Sequence, residues 1–375
     1  MSNPFTLRVL PPDAPFCDRK SEIDELASHA YNKANVVLFS PRRYGKTSLV
    51  KKVQHDLKQK GLITIYADFF MVTSEQDVAQ RFAKSIYAVL HRRESLLKKG
   101  ARFLKAFKTF RPVFKPSADH GVVLSVEPLS PDLTGIELLD KLMEELGAFI
   151  QTKPAPAGVH IVFDEFQEIT DLKNSQIEGV LRKHIQEHPA SYFFVGSRRR
   201  ILLDIFNQRN RPFYQSAIMF PLKALPPDEL TEFLIDQFKK AGKRCPKNIA
   251  EKISDTVSQY PYYVQSLAYY VYEISGKIVK EDDIYTGFKK LLDSERYGYE
   301  GIVQGLTGSQ ASLLKALAAD PVSRVMSTEY MRRHKLSLGG IQYARKKLEK
   351  LDLIEKHNDA WRIVDPVFSV WLASY

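Results

Sequence analysis

Five short apolar runs recur along roughly the first 220 residues, and longer stretches with a helical period separate them. The runs occupy positions 35–39, 62–66, 159–163, 192–195 and 217–220. Runs of this length are typical of strands that are buried on both faces, and their alternation with helical stretches favours parallel pairing. We therefore predict an α/β fold of three layers, in which helices cover both faces of a parallel sheet.

The pattern changes twice beyond the last run. After a proline-rich boundary, positions 228–292 are helical in pattern over almost their whole length. From 305 onward, three short helical segments precede two strand-like segments around a polar turn, which is typical of a winged helix. We predict a P-loop α/β domain over 1–222, a helical lid over 223–298 and a winged-helix domain over 299–375.

About ninety residues separate the second and third runs, which is far longer than an ordinary crossover and predicts an insertion at about 91–135. Its basic part, 91–116, holds nine Lys or Arg and one acidic residue, Glu94. Interleaved phenylalanines predict an amphipathic helix, whose cations either contact phosphates or a protein, or form a solvated face above a core of aromatics. The residues concerned are Phe103, Phe107, Phe110 and Phe114 with Lys99, Arg102, Lys105, Lys108 and Arg111.

The first apolar run is followed by a loop that ends in Gly-Lys-Thr and opens a helical stretch at 47–57. Such a loop binds nucleotides because its N–H groups surround phosphate oxygens, its lysine reaches the terminal phosphates and its hydroxyl sits on Mg²⁺. The usual first glycine is replaced by serine, so a basic strand-to-helix turn is the alternative. The predicted nucleotide-binding residues here are Ser40, Pro41, Arg42, Arg43, Tyr44, Gly45, Lys46, Thr47 and Ser48.

Two carboxylates, Asp164 and Glu165, follow the third apolar run. They are predicted to lie at the carboxyl edge of the sheet, where open α/β sheets bind ligands. With the loop upstream, this pair predicts an ATPase: Asp164 and Thr47 hold Mg²⁺, Lys46 contacts the terminal phosphates, and Glu165 orients and deprotonates the attacking water. A solvated strand end is the alternative for such a pair.

With these residues in place, the chain resembles the prokaryotic, archaeal-type P-loop ATPases, which are related to AAA+ proteins and STAND NTPases. Four further stretches carry the resemblance, at 16–26, 191–197, 260–263 and 365–372. It implies that the first stretch, which includes Arg19, flanks the adenine, and that Ser197 senses the γ-phosphate. It also implies that Pro261 belongs to a lid motif near the base. The tyrosines around this proline either pack on adenine or form core.

Three consecutive arginines follow Ser197. Phosphoryl transfer uses arginine to stabilise charge in the transition state, so we predict a catalytic contribution from Arg198. Arg199, Arg200, Arg209 and Arg211 are further candidates, and structural salt bridges or nucleic-acid contacts are the alternative roles.

Composition narrows the class of protein. The 375 residues are 44% hydrophobic and 26% charged, which excludes a disordered chain. Two widely spaced cysteines and the lack of a long apolar run favour a cytoplasmic protein with no membrane partner. A net charge of +11 favours an acidic partner, nucleic acid first.

The sequence leaves two classes of function open. The leading one is an ATPase that uses ATP and Mg²⁺, acts as a nucleotide-dependent switch and binds double-stranded DNA through its winged helix. The alternative is a STAND-like signalling or scaffold ATPase whose winged helix and basic insertion dock a protein partner; a homo-oligomer is open in both. The predicted DNA-facing residues are Gln342, Arg345, Lys346 and Lys350, with Arg332, Arg333, His334 and Lys335.

Overall fold

The protein was analysed as a computed structural model. It describes residues 2–11, 17, 19–94, 106–117, 121–152, 155, 157–172 and 176–374. Within these residues, no helix is both long and apolar enough to cross a membrane.

A central sheet of parallel strands confirms the predicted fold class. In the described chain it has five strands in the order β2–β5–β6–β1–β7, and each predicted apolar run falls on one of them. The strand β6 lies between β1 and β5 and therefore separates the loop strand from the strand that carries Asp164. The bounds are β1 Val36–Phe39, β2 Ile63–Asp68, β5 Val159–Asp164, β6 Ser191–Gly196 and β7 Ile218–Pro221.

Helices cover both faces of this sheet, and alternate strand residues point to different faces. Phe193 of β6 packs in the core under one layer, whereas Tyr192 and Phe194 pack in the core under the other. The helices of the first layer are Lys20–Tyr31 and Lys46–Gln59. Those of the second are Glu75–Glu94, Gly135–Gln151, Ile177–Ile185 and Arg199–Asn207.

The basic insertion contains a β-hairpin, which corrects the predicted amphipathic helix over this part. Strand β3 (Phe110–Ser117) pairs antiparallel with β4 (Gly121–Pro128). Pro112 and Pro116 disfavour a helix, and a partner strand rich in valine is close in sequence. Phe107 and Phe110 are buried core residues, Phe114 and Lys108 are exposed, and Arg111 pairs with Glu127. The remaining predicted residues lie outside the described ones: Lys99, Arg102, Phe103 and Lys105.

The helical pattern predicted beyond the sheet is present. Four helices are followed by three shorter helices, a two-stranded hairpin and a last helix. One apolar core joins all of these elements, and the fourth helix runs through position 298, where the predicted lid ends. The helices are Pro227–Lys240, Lys247–Thr256, Pro261–Ile274, Glu281–Gln304, Gly308–Ala319, Thr328–Arg333, Leu338–Lys350 and Pro366–Ser374; the strands are β8 Ile354–His357 and β9 Ala360–Ile363.

The N-terminal segment packs on the helices that follow the sheet, which the sequence did not predict. The ring of Phe5 lies 4.9 Å from that of Phe238, and the Asn3 amide donates a hydrogen bond of 3.2 Å to the Tyr269 carbonyl. Residues 6–10 are thereby held beside the loop between β1 and the next helix, because the Leu10 N–H also donates to the Ser48 hydroxyl at 3.2 Å.

Candidate nucleotide site

The loop between β1 and the helix Lys46–Gln59 has the backbone of a phosphate-binding turn. Gly45 adopts φ 89°, which favours glycine, and a Cβ at this position would meet no atom within 4 Å. The helix that begins at Lys46 points its free N–H groups and its positive dipole end at this loop. The loop therefore leads directly into a helix N-terminus, with Ser40 at the position of the usual first glycine.

The Lys46 side chain is hydrogen-bonded to the backbone of the loop that it follows. Its ammonium donates to the carbonyl oxygens of Ser40 at 3.0 Å and Pro41 at 2.9 Å. Burial lowers the pKa of Lys46 to about 8, and the nearby charges of Glu165 and Asp164 oppose this effect. The ammonium therefore lies in the site with protein carbonyls as its partners, in the position from which it can turn to a phosphate.

Asp164 is the centre of a small hydroxyl cluster. One of its carboxylate oxygens accepts from the Thr47 hydroxyl at 2.9 Å and from the Tyr66 hydroxyl, and the other accepts from the Glu165 N–H at 2.9 Å. Burial raises the pKa of Asp164, and the hydrogen bond from Tyr66 opposes it. A carboxylate beside a hydroxyl fits Mg²⁺, which takes oxygen ligands and keeps several waters. The described residues hold no cluster of three or more His, Cys, Asp or Glu for another metal.

Glu165 is fixed by two neighbours. The Ser197 hydroxyl lies 3.1 and 3.0 Å from its two carboxylate oxygens, and the Gln167 amide donates at 2.5 Å. Glu165 itself has a left-handed backbone, φ 50°, which turns the chain out of β5 into the 3₁₀-helix Phe166–Asp171. The sequence predicts Ser197 but not Gln167, because a glutamine three residues past a strand has no distinctive spacing.

Four of these groups, Lys46, Thr47, Glu165 and Ser197, line a cavity of about 520 Å³. The lining of the same cavity also has an apolar part, which suits a nucleobase. Its residues are Leu7, Val9, Leu225, Leu230, Phe233, Pro261 and Val264. Leu7 and Val9 come from the N-terminal segment, and no sequence signal marked them.

Arg19 lies in the wall of the cavity, but its charge is used within the protein. The side chain is buried and donates to Glu22 at 2.6 Å and to the Lys223 carbonyl at 2.7 Å. Phe16 and Asp18 of the same sequence stretch lie outside the described residues. Arg19 therefore joins the first helix to the segment after β7.

The tyrosines around Pro261 have different surroundings. The Tyr260 hydroxyl donates to the Arg42 carbonyl, Tyr262 lines the cavity, and Tyr263 is fully buried. Pro261 itself begins the helix Pro261–Ile274. Pro261 and Tyr262 therefore line the cavity, whereas Tyr260 and Tyr263 on either side of them are buried.

Arg43 ties the loop to the helices beyond the sheet. Its guanidinium donates to Glu295 at 2.8 Å and to the Tyr263 hydroxyl at 3.2 Å, and it lies 4.4 Å from the ring centroid of Tyr262. The phosphate loop and the helix Glu281–Gln304 are therefore in direct contact through a charge pair.

The arginines after Ser197 point in different directions. Arg198 donates to Glu168 at 2.8 Å and Asp171 at 2.7 Å and is not among the residues that line the cavity. Arg199 and Arg200 pair instead with carboxylates of the winged helix, which lie at the end of the helix Leu338–Lys350 or just after it. These pairs are Arg199 with Asp352 and Glu355, and Arg200 with Glu349. Of the other candidates, Arg211 pairs with Glu178 and Arg209 is exposed.

The predicted DNA-facing surface lies partly against the sheet domain. Arg345 stacks on Trp361 with 5.0 Å between its guanidinium carbon and the ring centroid. Arg345, Lys346 and Lys350 line a cleft of about 590 Å³ between the winged helix and the helix Arg199–Asn207. Among the described residues, neither of these two lysines has an ion-pair partner. Gln342, Arg332, Arg333 and Lys335 are exposed, and Arg333 pairs with Asp320 and Glu329.

Comparisons with known proteins agree with this architecture. Residues 44–183 match the KAP family P-loop domain, and residues 297–374 match the family model "Probable winged helix domain". No curated protein matches the chain.

Solved structures share the fold over nearly the whole chain. A Walker-type ATPase of Pyrococcus abyssi is similar with a TM-score of 0.70 and 17% identity, covering 98% of this chain and 99% of that one. The Aeropyrum pernix ORC2 protein, solved as ADPNP and ADP complexes, has a TM-score of 0.58 and 14% identity over 99% and 96%. The ORC1 protein of the same organism, in complex with DNA, has 0.50 and 13% over 98% and 94%. The chain therefore has a P-loop NTPase fold that is followed by a C-terminal winged helix.

Proposed function

We propose that the protein binds ATP with Mg²⁺, hydrolyses it to ADP and phosphate, and uses the difference between these states as a switch. The observation that carries the proposal is the meeting of three groups at the carboxyl edge of one parallel sheet. They are the Lys46 ammonium, the Asp164 carboxylate with the Thr47 hydroxyl, and the Glu165 carboxylate held by Ser197.

Each group has a defined task in this reaction. The Lys46 ammonium binds the terminal phosphates, and Thr47 with Asp164 would hold Mg²⁺, which neutralises phosphate charge when bound. Glu165 takes a proton from the attacking water while the water oxygen bonds to the γ-phosphorus. The bond from that phosphorus to the β–γ bridging oxygen breaks, and ADP leaves. Ser197 keeps the Glu165 carboxylate in one orientation.

The apolar part of the cavity is the proposed base pocket. Its lining includes Leu7 and Val9 from the N-terminal segment, and Phe233 and Pro261 from the helices beyond the sheet. The nucleotide complexes of the ORC2 relative support nucleotide binding by this fold. The wide spacing of Cys17 and Cys245 along the sequence supports a cytoplasmic setting.

Purified protein tests the proposal directly. Binding of fluorescent ATP and release of phosphate should both depend on Mg²⁺, and Lys46→Ala should weaken binding. Absence of nucleotide binding by the parent protein at millimolar ATP would refute the proposal.

DNA is the proposed target of the switch. The net charge of +11, the exposed Lys346 and Lys350, and the fold shared with an ORC1 protein solved with DNA support it. Duplex binding should weaken by orders of magnitude between about 50 and 200 mM salt, because phosphate contacts release counterions. A DNA interaction that does not depend on salt, or no DNA binding at all, would refute the proposal that DNA is the target.

One observation favours a protein partner instead. Part of the third winged-helix helix faces the protein's own sheet domain, while Tyr343 and Leu338 on this helix are 70% and 57% exposed. An exposed aromatic and leucine on a winged helix suit protein docking. In a pull-down with protein locked by a non-hydrolysable ATP analogue, capture of one protein that Tyr343→Ala abolishes would favour this reading.

A further inference from the structure

The winged helix places two carboxylates on an arginine of the sheet domain. The Arg199 guanidinium contacts Asp352 and Glu355 at 2.9 Å each. The arginine side chain is 21% exposed, and the two carboxylate side chains are 12% and 18% exposed. The pairs are therefore largely withdrawn from water, where removal of one partner is costly.

This cluster is linked to the nucleotide site through Ser197. The Arg199 N–H donates to the Ser197 carbonyl at 3.0 Å, and Ser197 lines the cavity beside Lys46. The charge of Asp352 acts on Lys46 in the same sense as the charges of Glu165 and Asp164, and Arg199 acts in the opposite sense. A winged-helix carboxylate thus belongs to the electrostatic surroundings of the lysine that is proposed to bind the terminal phosphates.

The turn that carries Asp352 is held in an uncommon backbone conformation. Asp352 has φ 56°, in the left-handed region that favours glycine, between the helix Leu338–Lys350 and β8. The contact with Arg199 is one of the interactions that hold this turn. Loss of the contact between Asp352 and Arg199 would therefore affect the winged helix as well as the nucleotide site.

We propose that Asp352 and Glu355 form a carboxylate clamp on Arg199, and that the γ-phosphate of ATP competes with the clamp for this arginine. A γ-phosphate repels Asp352 and attracts Arg199, whereas ADP lacks the competing group. ATP therefore loosens the contact between winged helix and sheet domain, and ADP leaves it closed. This inference rests on the proposed ATP site. It identifies Arg199, Asp352 and Glu355 as the residues whose contacts differ between the ATP and ADP states.

Coupling of this kind is reciprocal, so the clamp also sets the preference for ATP over ADP. Asp352→Asn with Glu355→Gln removes both competing charges and frees Arg199. The ratio of the ADP Kd to the Kd of a non-hydrolysable ATP analogue should rise by about 5- to 100-fold, the usual range of such coupling. Arg199→Ala should lower that ratio, because the arginine that distinguishes the γ-phosphate is lost.

Glu349→Gln is the matched control. It removes a carboxylate from the neighbouring Arg200, whose side chain is 52% exposed, on the same side of the winged helix. The ratio of the two dissociation constants should stay within about twofold of the parent value, because exposed pairs contribute little. An equal ratio in the parent, clamp and Arg199 variants would overturn the inference while leaving the ATPase proposal standing.

Hydrogen exchange of the parent protein gives a test that needs no variant. Amides of 349–357 should exchange faster with the ATP analogue than with ADP, whereas those of the sheet strand β6 should not. Identical exchange with both nucleotides would overturn the clamp. Failure of the parent to bind either nucleotide would refute the proposed function itself, and the two failures are thus distinguishable.

Discussion

Nucleotide binding is predicted to weaken steeply above pH 8, because Lys46 must carry its charge to bind phosphate. The group is 5% exposed, and burial lowers its pKa from an ordinary 10.5 to about 8. In the free protein the proton is therefore lost well below the pH at which an exposed lysine loses it. Bound phosphates raise the pKa again, so binding above pH 8 takes up a proton.

The magnitude follows from the two-state titration. With a pKa of about 8 in the free protein, the ATP Kd should rise about tenfold between pH 7 and pH 9 and about 30-fold by pH 9.5. The same pKa shift has the opposite effect on folding stability as the pH rises. Between pH 8 and 10.5 the unfolded chain binds more protons at this lysine than the native state, so its contribution to stability improves with pH.

The assay is equilibrium titration of fluorescent ATP at fixed ionic strength and Mg²⁺. A Cys17→Ser background removes a thiol of the cavity wall. Lys46→Arg is the matched control, since a guanidinium keeps its charge throughout this range and its Kd should have no such slope. A flat Kd for the parent up to pH 9.5, or the same slope in Lys46→Arg, would refute the reasoning.

Four further variants have expected outcomes. Asp164→Asn should raise the half-saturating Mg²⁺ for hydrolysis by about 10- to 100-fold, since an amide is a poor ligand for a hard cation; an unchanged Mg²⁺ titration would contradict this. Gly287→Ala should lower the free energy of unfolding by about 1–2 kcal/mol, because the new Cβ would lie 2.9 Å from Val271 Cγ2. Gly301→Ala on the same helix meets no atom within 4 Å and should be neutral or stabilising in calorimetry. Changing Arg345, Lys346 and Lys350 together to alanine should leave ATP hydrolysis in the absence of DNA unchanged. It should flatten the slope of log DNA affinity against log salt concentration by up to about 3. Identical slopes for the parent and the triple variant would favour the protein partner.

The fold was predictable because its signals are local. Apolar runs long enough for buried strands predicted the sheet, and the three helices before a hairpin predicted the winged helix. Residues 110–116 were the exception, because cations alternating with phenylalanines have a similar appearance in a helix and in a hairpin. Their pairing with 121–128 is a contact between segments, which periodicity alone does not reveal.

The site was predictable where the residues are adjacent in sequence. Lys46 with Thr47, and Asp164 with Glu165, belong to short patterns that their strands and helix position. Tyr66 and Gln167 were missed, because each reaches the site from a strand or turn with no motif of its own. Leu7 and Val9 were missed for a related reason, since contacts of Phe5, Asn3 and Leu10 with distant residues hold the N-terminal segment beside the cavity.

The three arginines after Ser197 show most clearly what the sequence alone does not predict. Arg198, Arg199 and Arg200 are equivalent in sequence, and the partners that separate their roles lie far along the chain for two of them. Arg198 meets Glu168, whereas Arg199 meets Asp352 across more than 150 residues. A cluster of charges predicts that ion pairs form, and the tertiary fold decides which ones.

The measurement that tests the central claim most directly is single-turnover hydrolysis of ATP by Glu165→Gln. The amide keeps the shape of the side chain but removes the base, so nucleotide binding should persist while the rate of phosphate release falls by about 10²- to 10⁴-fold. Glu178→Gln makes the same change on a carboxylate that pairs with Arg211 outside the cavity, and it should hydrolyse ATP at the parental rate. Parental turnover by Glu165→Gln would contradict the assignment of Glu165 as the base.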